Sequence, residues 1–243
     1  MISRALRTLF ALLVMPAMAS CAAVTDGGAT AHAAVPVAKV DAPLANRSGN
    51  AIAVLAGGCF WGMQWVFEHV KGVTNVTAGY SGGAGNTAHY ERVSEGDTGH
   101  AESVQVAFDP AQVSYGELLR VYFSVATDPT ELNRQGPDTG TQYRGVIFYT
   151  DPQQQRIAQA YIAQLAGEKI YRGPIVTQVV PFKAFYPAEG YHQDYARLNP
   201  DAAYIAINDA PKVTRFAQLL PDLYRARPIV HHASSPTVRV SVL

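Results

Sequence analysis

Residues 51–70 read AIAVLAGGCFWGMQWVFEHV, and they decide the fold because they predict a strand, a tight turn and a helix in direct succession. Residues 52–56 are apolar on both faces, which is typical of a strand buried inside a sheet. Two glycines follow, and apolar residues then recur at helical spacing, at Phe60, Met63, Phe67 and Val70. Cys59 is therefore predicted to lie between a buried strand and the head of a helix.

The position of Cys59 allows two interpretations. At the start of a helix, unpaired backbone N–H groups and the positive end of the helix dipole favour a thiolate over a thiol. Gly57 and Gly58 permit a tight turn and close approach by another molecule, and Phe60 and Trp61 offer an apolar wall beside the sulfur. These features predict a reactive thiol. The alternative is an inert cysteine, buried in the core among aromatic side chains.

Further strands and helices alternate along the chain. Strands are predicted at 73–80, 103–108, 144–150 and 175–182. A capping box formed by Ser114 and Glu117 predicts one helix, and Asp151 followed by Pro152 predicts the start of another. Shorter helices are predicted at 193–198 and 212–220. Because strands interleave with helices but hairpin-like neighbours also occur, we predict an α+β fold, a two-layer sandwich with a mixed β-sheet covered by helices.

The composition excludes several classes of protein. The 243 residues are 48% hydrophobic, which excludes a disordered chain. Nineteen basic residues balance nineteen acidic ones, so no net charge attracts nucleic acid and no such partner is predicted. Two cysteines cannot form a disulfide-rich scaffold or a four-cysteine zinc site. The sequence has no nucleotide-binding loop and no cluster of metal ligands, so we predict neither a metal nor any other cofactor.

The first residues have the order of a secretory signal peptide: Arg4 and Arg7, a mostly apolar run over 8–18, and then small residues. Cleavage before Ser20 is one interpretation. Residues 18–21 also resemble a bacterial lipoprotein box, in which Cys21 would be lipidated and would attach the protein to a membrane. A buried N-terminal helix is the third interpretation. The first two predict a bacterial cell-envelope protein located in the periplasm.

The predicted boundaries follow from composition and periodicity. Residues 1–20 form the signal peptide or lipoprotein leader, and residues 21–50 form a flexible linker that is rich in Ala, Gly, Pro, Asp and Asn. The folded domain covers 51–224. Residues 225–243 form a polar C-terminal tail, in which the adjacent pair His231 and His232 is interpreted as solvated.

Several polar residues are candidates for a functional site. Glu102 shares one strand face with three apolar residues, so its carboxyl is either buried and neutral or at the rim of the sheet in water. Asp138 and Tyr143 belong to the polar run 133–144, which is either a ligand-binding loop or an ordered surface loop. Tyr90 is either ordinary half-buried packing or a hydrogen-bond donor. The residues alone leave these alternatives open.

Taken together, five motifs resemble the type-A peptide-methionine sulfoxide reductase family, which acts on the S epimer. They are GCFWG at 58–62, GYSGG at 79–83, GDTGHAE at 96–102, the run 134–144, and HQDY at 192–195. The five motifs occur in the order found in the family, and the ordered series covers nearly the whole predicted domain. The resemblance implies a thiol-dependent oxidoreductase that reduces methionine-S-sulfoxide in proteins, and free methionine sulfoxide, to methionine.

The resemblance also implies roles for individual residues. Cys59 would attack the sulfoxide sulfur and become a sulfenic acid. Phe60 and Trp61 would bind the substrate methyl group. Glu102 would protonate the sulfoxide oxygen with the help of Tyr90 and Tyr143, a role that suits a neutral buried acid. Asp138 would help to orient the site.

The chain departs from many members of this family in its cysteines. Those relatives carry one or two further cysteines near the C-terminus that resolve the sulfenic acid as a disulfide, whereas no cysteine follows Cys59 here. An external thiol is therefore expected to regenerate Cys59, from a thioredoxin-like or glutaredoxin-like partner or a small molecule.

The residues also permit two other functions. One is a cysteine hydrolase or acyl transferase with His89, His100 or His192 as the base. The other is a non-catalytic envelope redox sensor or peptide-binding protein, in which Cys59 oxidises without turnover.

Overall fold

The computed structural model describes residues 33–231. Within them the chain forms eight strands. The strands are β1 (Ala51–Ala56), β2 (Val73–Ser81), β3 (Ala101–Phe108), β4 (Arg134–Gln135), β5 (Asp138–Thr139), β6 (Val146–Tyr149), β7 (Gln178–Pro181) and β8 (Phe185–Pro187). Strands β4 and β5 form a small separate hairpin, and the other six form one sheet.

The sheet is mixed, as predicted. Its strand order is β7-β6-β1-β3-β2-β8. The pair β6–β7 is parallel and the other neighbours are antiparallel. The strand predicted from residues 52–56 is β1, which pairs with β3 on one side and β6 on the other. Because β1 is central, it is hydrogen-bonded along both edges and its apolar side chains can be buried on both faces.

Six α-helices accompany the sheet within the described residues. They are α1 (Phe60–Glu68), α2 (Tyr90–Val93), α3 (Tyr115–Val121), α4 (Pro152–Gly167), α5 (Tyr195–Leu198) and α6 (Ala210–Leu219). The two predicted capped helix starts, those of α3 and α4, are confirmed, whereas α5 and α6 begin two residues away from their predicted starts. The Ser114 hydroxyl accepts from the Glu117 N–H while the Glu117 carboxylate accepts from the Ser114 N–H. Asp151 accepts from two N–H groups in the first turn of α4. None of the described helices is long and apolar enough to cross a membrane.

The core divides between the two faces of the sheet, and β1 shows the division. Ala53 and Leu55 join the larger cluster, which includes Met63 and Phe67 of α1. Val54 and Ala56 point to the opposite face, into a smaller cluster with aromatic residues of β6 and the β7–β8 region. This two-residue alternation is the ordinary geometry of a strand. The predicted α+β sandwich, with a mixed sheet covered by helices, is confirmed.

The prediction of a flexible linker is wrong for residues 33–50. This segment has no regular secondary structure, but Val35 is buried and its N–H donates to the Ser124 hydroxyl. Asp41 accepts hydrogen bonds from the Ser114 hydroxyl and the Gly116 N–H. Composition alone predicted a tether because it does not report these contacts with distant residues. The signal peptide and Cys21 lie outside the described residues.

The interpretation of a solvated tail is likewise wrong for residues 225–231. The Arg225 N–H donates to His69 O, and the Ile229 N–H donates to Glu68 O. The His231 N–H donates to the Asp194 carboxylate, and its ring contacts Val76 O. Backbone and side-chain hydrogen bonds therefore hold this segment against α1 and β2. His232 lies outside the described residues.

Short elements were the ones that sequence patterns missed. The sequence predicted neither α2, nor β8, nor the β4–β5 hairpin, because two to four residues are too few to show a periodicity. The strand predicted at 175–182 is shorter, since β7 begins at Gln178.

Candidate active site

Cys59 occupies the N-cap position of α1, directly after the turn that leaves β1. Its side chain is 8% exposed. Gly58 has φ +102°, and a Cβ on it would lie 2.6 Å from Cγ of Gln135, which belongs to the β4–β5 hairpin. Glycine is therefore required here for both backbone conformation and space. The hairpin can approach the turn closely enough to form one wall around the sulfur.

Burial governs the ionisation of Cys59. It raises the pKa of the thiol well above its ordinary value, and the nearby carboxyls of Glu102 and Asp209 raise it further. The Trp61 backbone N–H and the Lys212 ammonium lower the pKa by smaller amounts. The backbone N–H at the helix start favours the thiolate, as the position of Cys59 predicts, but desolvation outweighs it and the pKa of the thiol is raised. A thiolate has to be formed during the reaction.

Glu102 is buried, which decides between its two alternatives. Its side chain lies on β3 at 3% exposure, and its Oε2 accepts a hydrogen bond from the Phe60 N–H at 3.0 Å. Burial raises the pKa of this carboxyl to about 8, although the Phe60 hydrogen bond acts in the opposite direction. At neutral pH, Glu102 is therefore mostly a protonated acid beside the first turn of α1.

Tyr90 and Tyr143 lie close to Glu102 and Cys59. Tyr90 begins α2, and Tyr143 ends a 3₁₀ turn between β5 and β6. Burial, and next the Glu102 carboxyl, raises the pKa of each phenol, and Cys59 and Asp138 also act on both. Both side chains therefore remain O–H donors at neutral pH. The structure brings the predicted donors together from three separate elements.

Asp138 lies on the β4–β5 hairpin and lines a pocket together with Cys59. One of its carboxylate oxygens accepts a hydrogen bond from the Tyr204 hydroxyl at 2.5 Å. A small pocket of about 80 Å³ adjoins this pair. Its lining comes from the nucleophile turn, the hairpin and the C-terminal helical region, with side chains from Cys59, Gln135, Gly136, Pro137, Asp138, Tyr204, Asn208 and Lys212.

The aromatic residues after Cys59 are held in different ways. Phe60 is almost fully buried, and its ring lies 5.8 Å from that of Tyr80. Trp61 is half-buried and stacks on Tyr195 at a centroid distance of 4.0 Å. The Trp61 indole N–H donates to Nδ1 of His192 at 3.2 Å. The predicted apolar wall is therefore rigid, because its exposed member is fixed by stacking and a hydrogen bond.

The histidines do not form a cysteine–histidine pair. Nδ1 of His192 accepts from Trp61, and burial lowers the pKa of this ring. Both ring nitrogens of His100 bond to the 83–84 backbone. His89 is exposed and interacts with Glu91. No described hydrogen bond joins a histidine to Cys59, so the arrangement does not favour a cysteine hydrolase.

Sequence reasoning missed four residues around Cys59. Tyr204, Gln135 and Lys212 line the pocket, and Asp209 is fully buried beside Lys212. Gln135 belongs to the polar run 133–144 before β6, so that motif was a sequence signal for this residue. Nothing in the local pattern marks Asp209 or Lys212, because their relation to Cys59 depends on how α6 packs. In residues 33–231, no group of three or more His, Cys, Asp or Glu side chains could hold a metal ion.

Sequence comparison is consistent with this geometry. Residues 51–222 match the family described as Peptide methionine sulfoxide reductase. The chain is 56% identical over 182 residues to peptide methionine sulfoxide reductase MsrA 2 of Mesorhizobium japonicum, covering 75% of this chain and 93% of the relative. It is 50% identical over 192 residues to MsrA 2 of Synechocystis, covering 79% of this chain and 90% of that relative.

Solved structures show the same fold. Reduced Mxr1 of Saccharomyces cerevisiae is 31% identical with a TM-score of 0.57, and the match covers 68% of this chain and 92% of Mxr1. Methionine sulfoxide reductase A of Corynebacterium diphtheriae is 32% identical with a TM-score of 0.55, and the match covers 65% and 78% of the two chains. The family match extends over most of the chain and includes every predicted catalytic residue. This chain belongs to the peptide methionine sulfoxide reductase family.

Proposed function

We propose that this enzyme reduces methionine-S-sulfoxide in proteins, and free methionine sulfoxide, by forming a sulfenic acid on Cys59 that an external thiol then reduces. The observation that carries this proposal is the buried carboxyl of Glu102, which accepts a hydrogen bond from the Phe60 N–H next to Cys59 and whose pKa is raised to about 8 by burial. A sulfoxide oxygen is a poor leaving group unless it is protonated. An acid that is protonated at neutral pH is therefore the group that the reaction needs beside the nucleophile.

In the first step, the Cys59 sulfur attacks the sulfoxide sulfur while Glu102 gives its proton to the sulfoxide oxygen. Tyr90 and Tyr143 donate hydrogen bonds to the same oxygen. The attack forms a bond between the Cys59 sulfur and the substrate sulfur, which still carries the protonated oxygen as a hydroxyl. The hydroxyl then passes to the Cys59 sulfur while the sulfur–sulfur bond and the sulfur–oxygen bond of the substrate break, so methionine leaves and Cys59 becomes a sulfenic acid. Cys59 loses its thiol proton to water before the attack and Glu102 regains a proton from water afterwards, so the step consumes no net proton. Two electrons pass from Cys59 to the substrate sulfur.

The aromatic wall provides selectivity for the substrate side chain. Phe60 and Trp61 follow Cys59 directly in the first turn of α1, and the substrate methyl group would pack against their rings. Asp138, held by Tyr204, would orient the polar part of the substrate. Because only a short apolar group and one oxygen are recognised, the site would accept oxidised methionine in many sequences.

An external thiol completes the cycle. Cys59 is a free cysteine, and no cysteine follows it in the sequence. A thiolate from a thioredoxin-like protein, a glutaredoxin-like protein or a small molecule would attack the sulfenic sulfur and form a mixed disulfide, while the oxygen leaves as water. A second thiol would then release Cys59 and form the disulfide of the reductant.

The test is mass spectrometry after one equivalent of a methionine-(S)-sulfoxide peptide without reductant. We expect one added oxygen on the Cys59 peptide, one equivalent of methionine peptide, and no disulfide between Cys21 and Cys59. The matched control is Cys59→Ser, which should leave the sulfoxide intact. Full reduction by the serine variant would refute the role of Cys59, and an internal disulfide would refute resolution by an external thiol.

We also propose export to the periplasm and membrane attachment through a lipidated Cys21. The support is the signal-peptide pattern in residues 1–20 alone. Fractionation of cells that express the full chain would test it. Cys21→Ser should move the protein from the membrane to the soluble periplasmic fraction if Cys21 is lipidated. Equal membrane association of both forms would contradict the lipid anchor, and a cytoplasmic protein would contradict export.

A further inference from the structure

The Cys59 pocket contains a lysine that the proposed chemistry does not use. Lys212, in the first turn of α6, lines the same small pocket as Cys59. Its Nζ lies 3.1 Å from Oδ1 of Asp209, and its side chain is 20% exposed. An ammonium group has three N–H donors. The hydrogen bond to Asp209 uses one of these donors. The Lys212 ammonium group therefore keeps two N–H donors and its positive charge for interactions with other groups in the pocket.

Asp209 and Gly62 together fix the position of this ammonium group. Asp209 is fully buried, and its Oδ2 has no hydrogen-bond partner among the described residues. A Cβ on Gly62 would overlap the Asp209 carboxylate, at 2.6 Å from its Cγ, and would lie 3.1 Å from Nζ of Lys212. Gly62 is in the first turn of α1, three residues after Cys59. The ion pair is therefore packed directly onto the turn that carries the nucleophile.

The other side chains around Cys59 are carboxyls and phenols, and two of the carboxyls, Glu102 and Asp209, disfavour its ionisation. Carboxyls approach from β3, from the β4–β5 hairpin and from the end of the 205–209 π-helical turn, and phenols approach from α2, the 3₁₀ turn and residue 204. These groups are Glu102, Asp138, Asp209, Tyr90, Tyr143 and Tyr204. None of them supplies positive charge. Burial, Glu102 and Asp209 raise the pKa of the thiol, whereas the Trp61 backbone N–H and, by a smaller amount, the Lys212 ammonium lower it. The pocket that Cys59 lines thus contains a cation, which a buried thiolate needs as a partner.

We propose that Lys212 is the counter-ion of the Cys59 thiolate. The proposal deepens the function proposed above and rests on Cys59 as its nucleophile. The thiolate occurs twice in the cycle. It attacks the sulfoxide, and it is the leaving group when a second thiol reduces the mixed disulfide. Lys212 stabilises it in both steps.

The test measures alkylation of Cys59 by iodoacetamide in the full-length enzyme without any sulfoxide, and the Cys59 peptide is quantified by mass spectrometry. Well below the thiol pKa, the alkylation rate is proportional to the thiolate fraction, so rate ratios report the change in ionisation directly. We compare wild type with Lys212→Gln, which keeps a donor for Asp209 but removes the charge. We expect alkylation at pH 7.5 to slow by about tenfold or more, because a nearby opposite charge shifts a pKa by about one unit or more.

Two further variants should either speed the alkylation of Cys59 or leave its rate nearly unchanged. Asp209→Asn removes a negative charge but keeps Lys212, so it should speed alkylation. Lys212→Arg keeps the positive charge, so its alkylation rate should stay within about threefold of the wild-type rate. A change of one unit in the pKa of Cys59 would change that rate by about tenfold. The matched control is Lys39→Gln, which breaks an exposed ion pair with Glu168 outside the Cys59 pocket and should have no effect.

The outcomes separate an electrostatic role from a structural one. A structural role would disturb the same turn in Lys212→Gln and Asp209→Asn, so both would change alkylation in the same direction. That result, or an unchanged rate in Lys212→Gln, overturns the proposal. If Lys212→Gln does not fold, Asp209→Asn is compared with Asp209→Asn/Lys212→Gln, and the double variant must react more slowly. Because no sulfoxide is present, failure here leaves the Cys59→Ser test of the proposed function unaffected.

Discussion

The Phe60 N–H donates a hydrogen bond to Oε2 of Glu102 across 3.0 Å, which joins the first turn of α1 to strand β3. This bond places a carboxyl next to the residue that follows Cys59. Burial raises the pKa of Glu102 to about 8, and the hydrogen bond partly opposes that rise. The same contact therefore positions the acid and limits how far its pKa rises.

Glu102→Gln should slow the single-turnover reduction of a methionine sulfoxide peptide by about 10²–10⁴-fold, which is the usual contribution of a general acid. The amide keeps the shape of the side chain and an acceptor for the Phe60 N–H but has no acidic proton. Ser103→Ala is the matched control, because Ser103 neighbours Glu102 on β3 and its hydroxyl bonds to Ala101 O. A loss of similar size in the control would mean that the damage is to the strand.

The pH dependence of the single-turnover reduction rate distinguishes the ionisation of Cys59 from that of Glu102. As pH rises, the thiolate fraction of Cys59 increases tenfold per unit because its pKa is raised by burial. Glu102 loses its proton above about 8, which cancels this increase. The wild-type rate should therefore rise to about pH 8 and then level, whereas the slower Glu102→Gln rate should continue to rise. If the rate of the Glu102→Gln variant also levels at about pH 8, ionisation of Glu102 is not the cause of the levelling in the wild type.

Glu68 should make the fold less stable as pH rises. It is fully buried on α1, and burial together with the Asp194 carboxyl raises its pKa to about 10. Its ordinary value is roughly 4.3, so the folded state holds a proton that the unfolded state releases between these values. At a pH below the pKa of Glu68 in the unfolded state, Glu68 makes its full contribution to the free energy of unfolding. This contribution falls by up to about 1.4 kcal/mol per pH unit as pH rises toward the folded pKa.

Glu68→Gln keeps a neutral hydrogen-bonding side chain, so it should lose this slope. Urea unfolding at pH 5, 7 and 9 would show the variant gaining stability relative to wild type at each higher pH. Glu95→Gln, at an exposed glutamate, is the control and should differ from wild type by a constant amount. Parallel pH profiles for Glu68→Gln and wild type would show that Glu68 is already ionised in the folded enzyme.

Gly62→Ala should lower stability by about 1–3 kcal/mol, because the added methyl group overlaps the buried Asp209 carboxylate. Helix propensity alone predicts the opposite sign, a gain of about 1 kcal/mol. Gly167→Ala is the matched control at the end of α4, where an added Cβ meets nothing within 4 Å. Thermal or urea unfolding measures both variants. A stabilised Gly62→Ala enzyme would mean that the Asp209–Lys212 pair can move away from α1.

Asp41→Ala should lower the free energy of unfolding by about 1–2 kcal/mol, because Asp41 accepts from the Gly116 N–H at the start of α3 and from the Ser114 hydroxyl. This tests whether the segment at 33–50 is held on the domain. Asp201→Ala removes an exposed aspartate and should change stability by less than about 0.5 kcal/mol. Equal effects of the two substitutions would favour the flexible-linker prediction.

Local patterns predicted the regular elements well. The apolar run of β1, the helical stripe of α1 and the two capped helix starts all appear where the sequence places them, because each depends on neighbours within about four residues. The shorter elements and the docked segments at 33–50 and 225–231 depend on distant partners instead. Val35 contacts Ser124, and His231 contacts Asp194.

By itself the sequence determined the fold class, the family resemblance and the identity of the residues around the nucleophile, since these follow from local periodicity and from ordered motifs. Only the tertiary structure decided how those residues ionise. Glu102 is neutral and Cys59 is a thiol at rest because packing removes them from water, and α6 places Lys212 and Asp209 in the Cys59 site. Desolvation and charge proximity depend on distances between residues far apart in the chain, so sequence spacing cannot supply them.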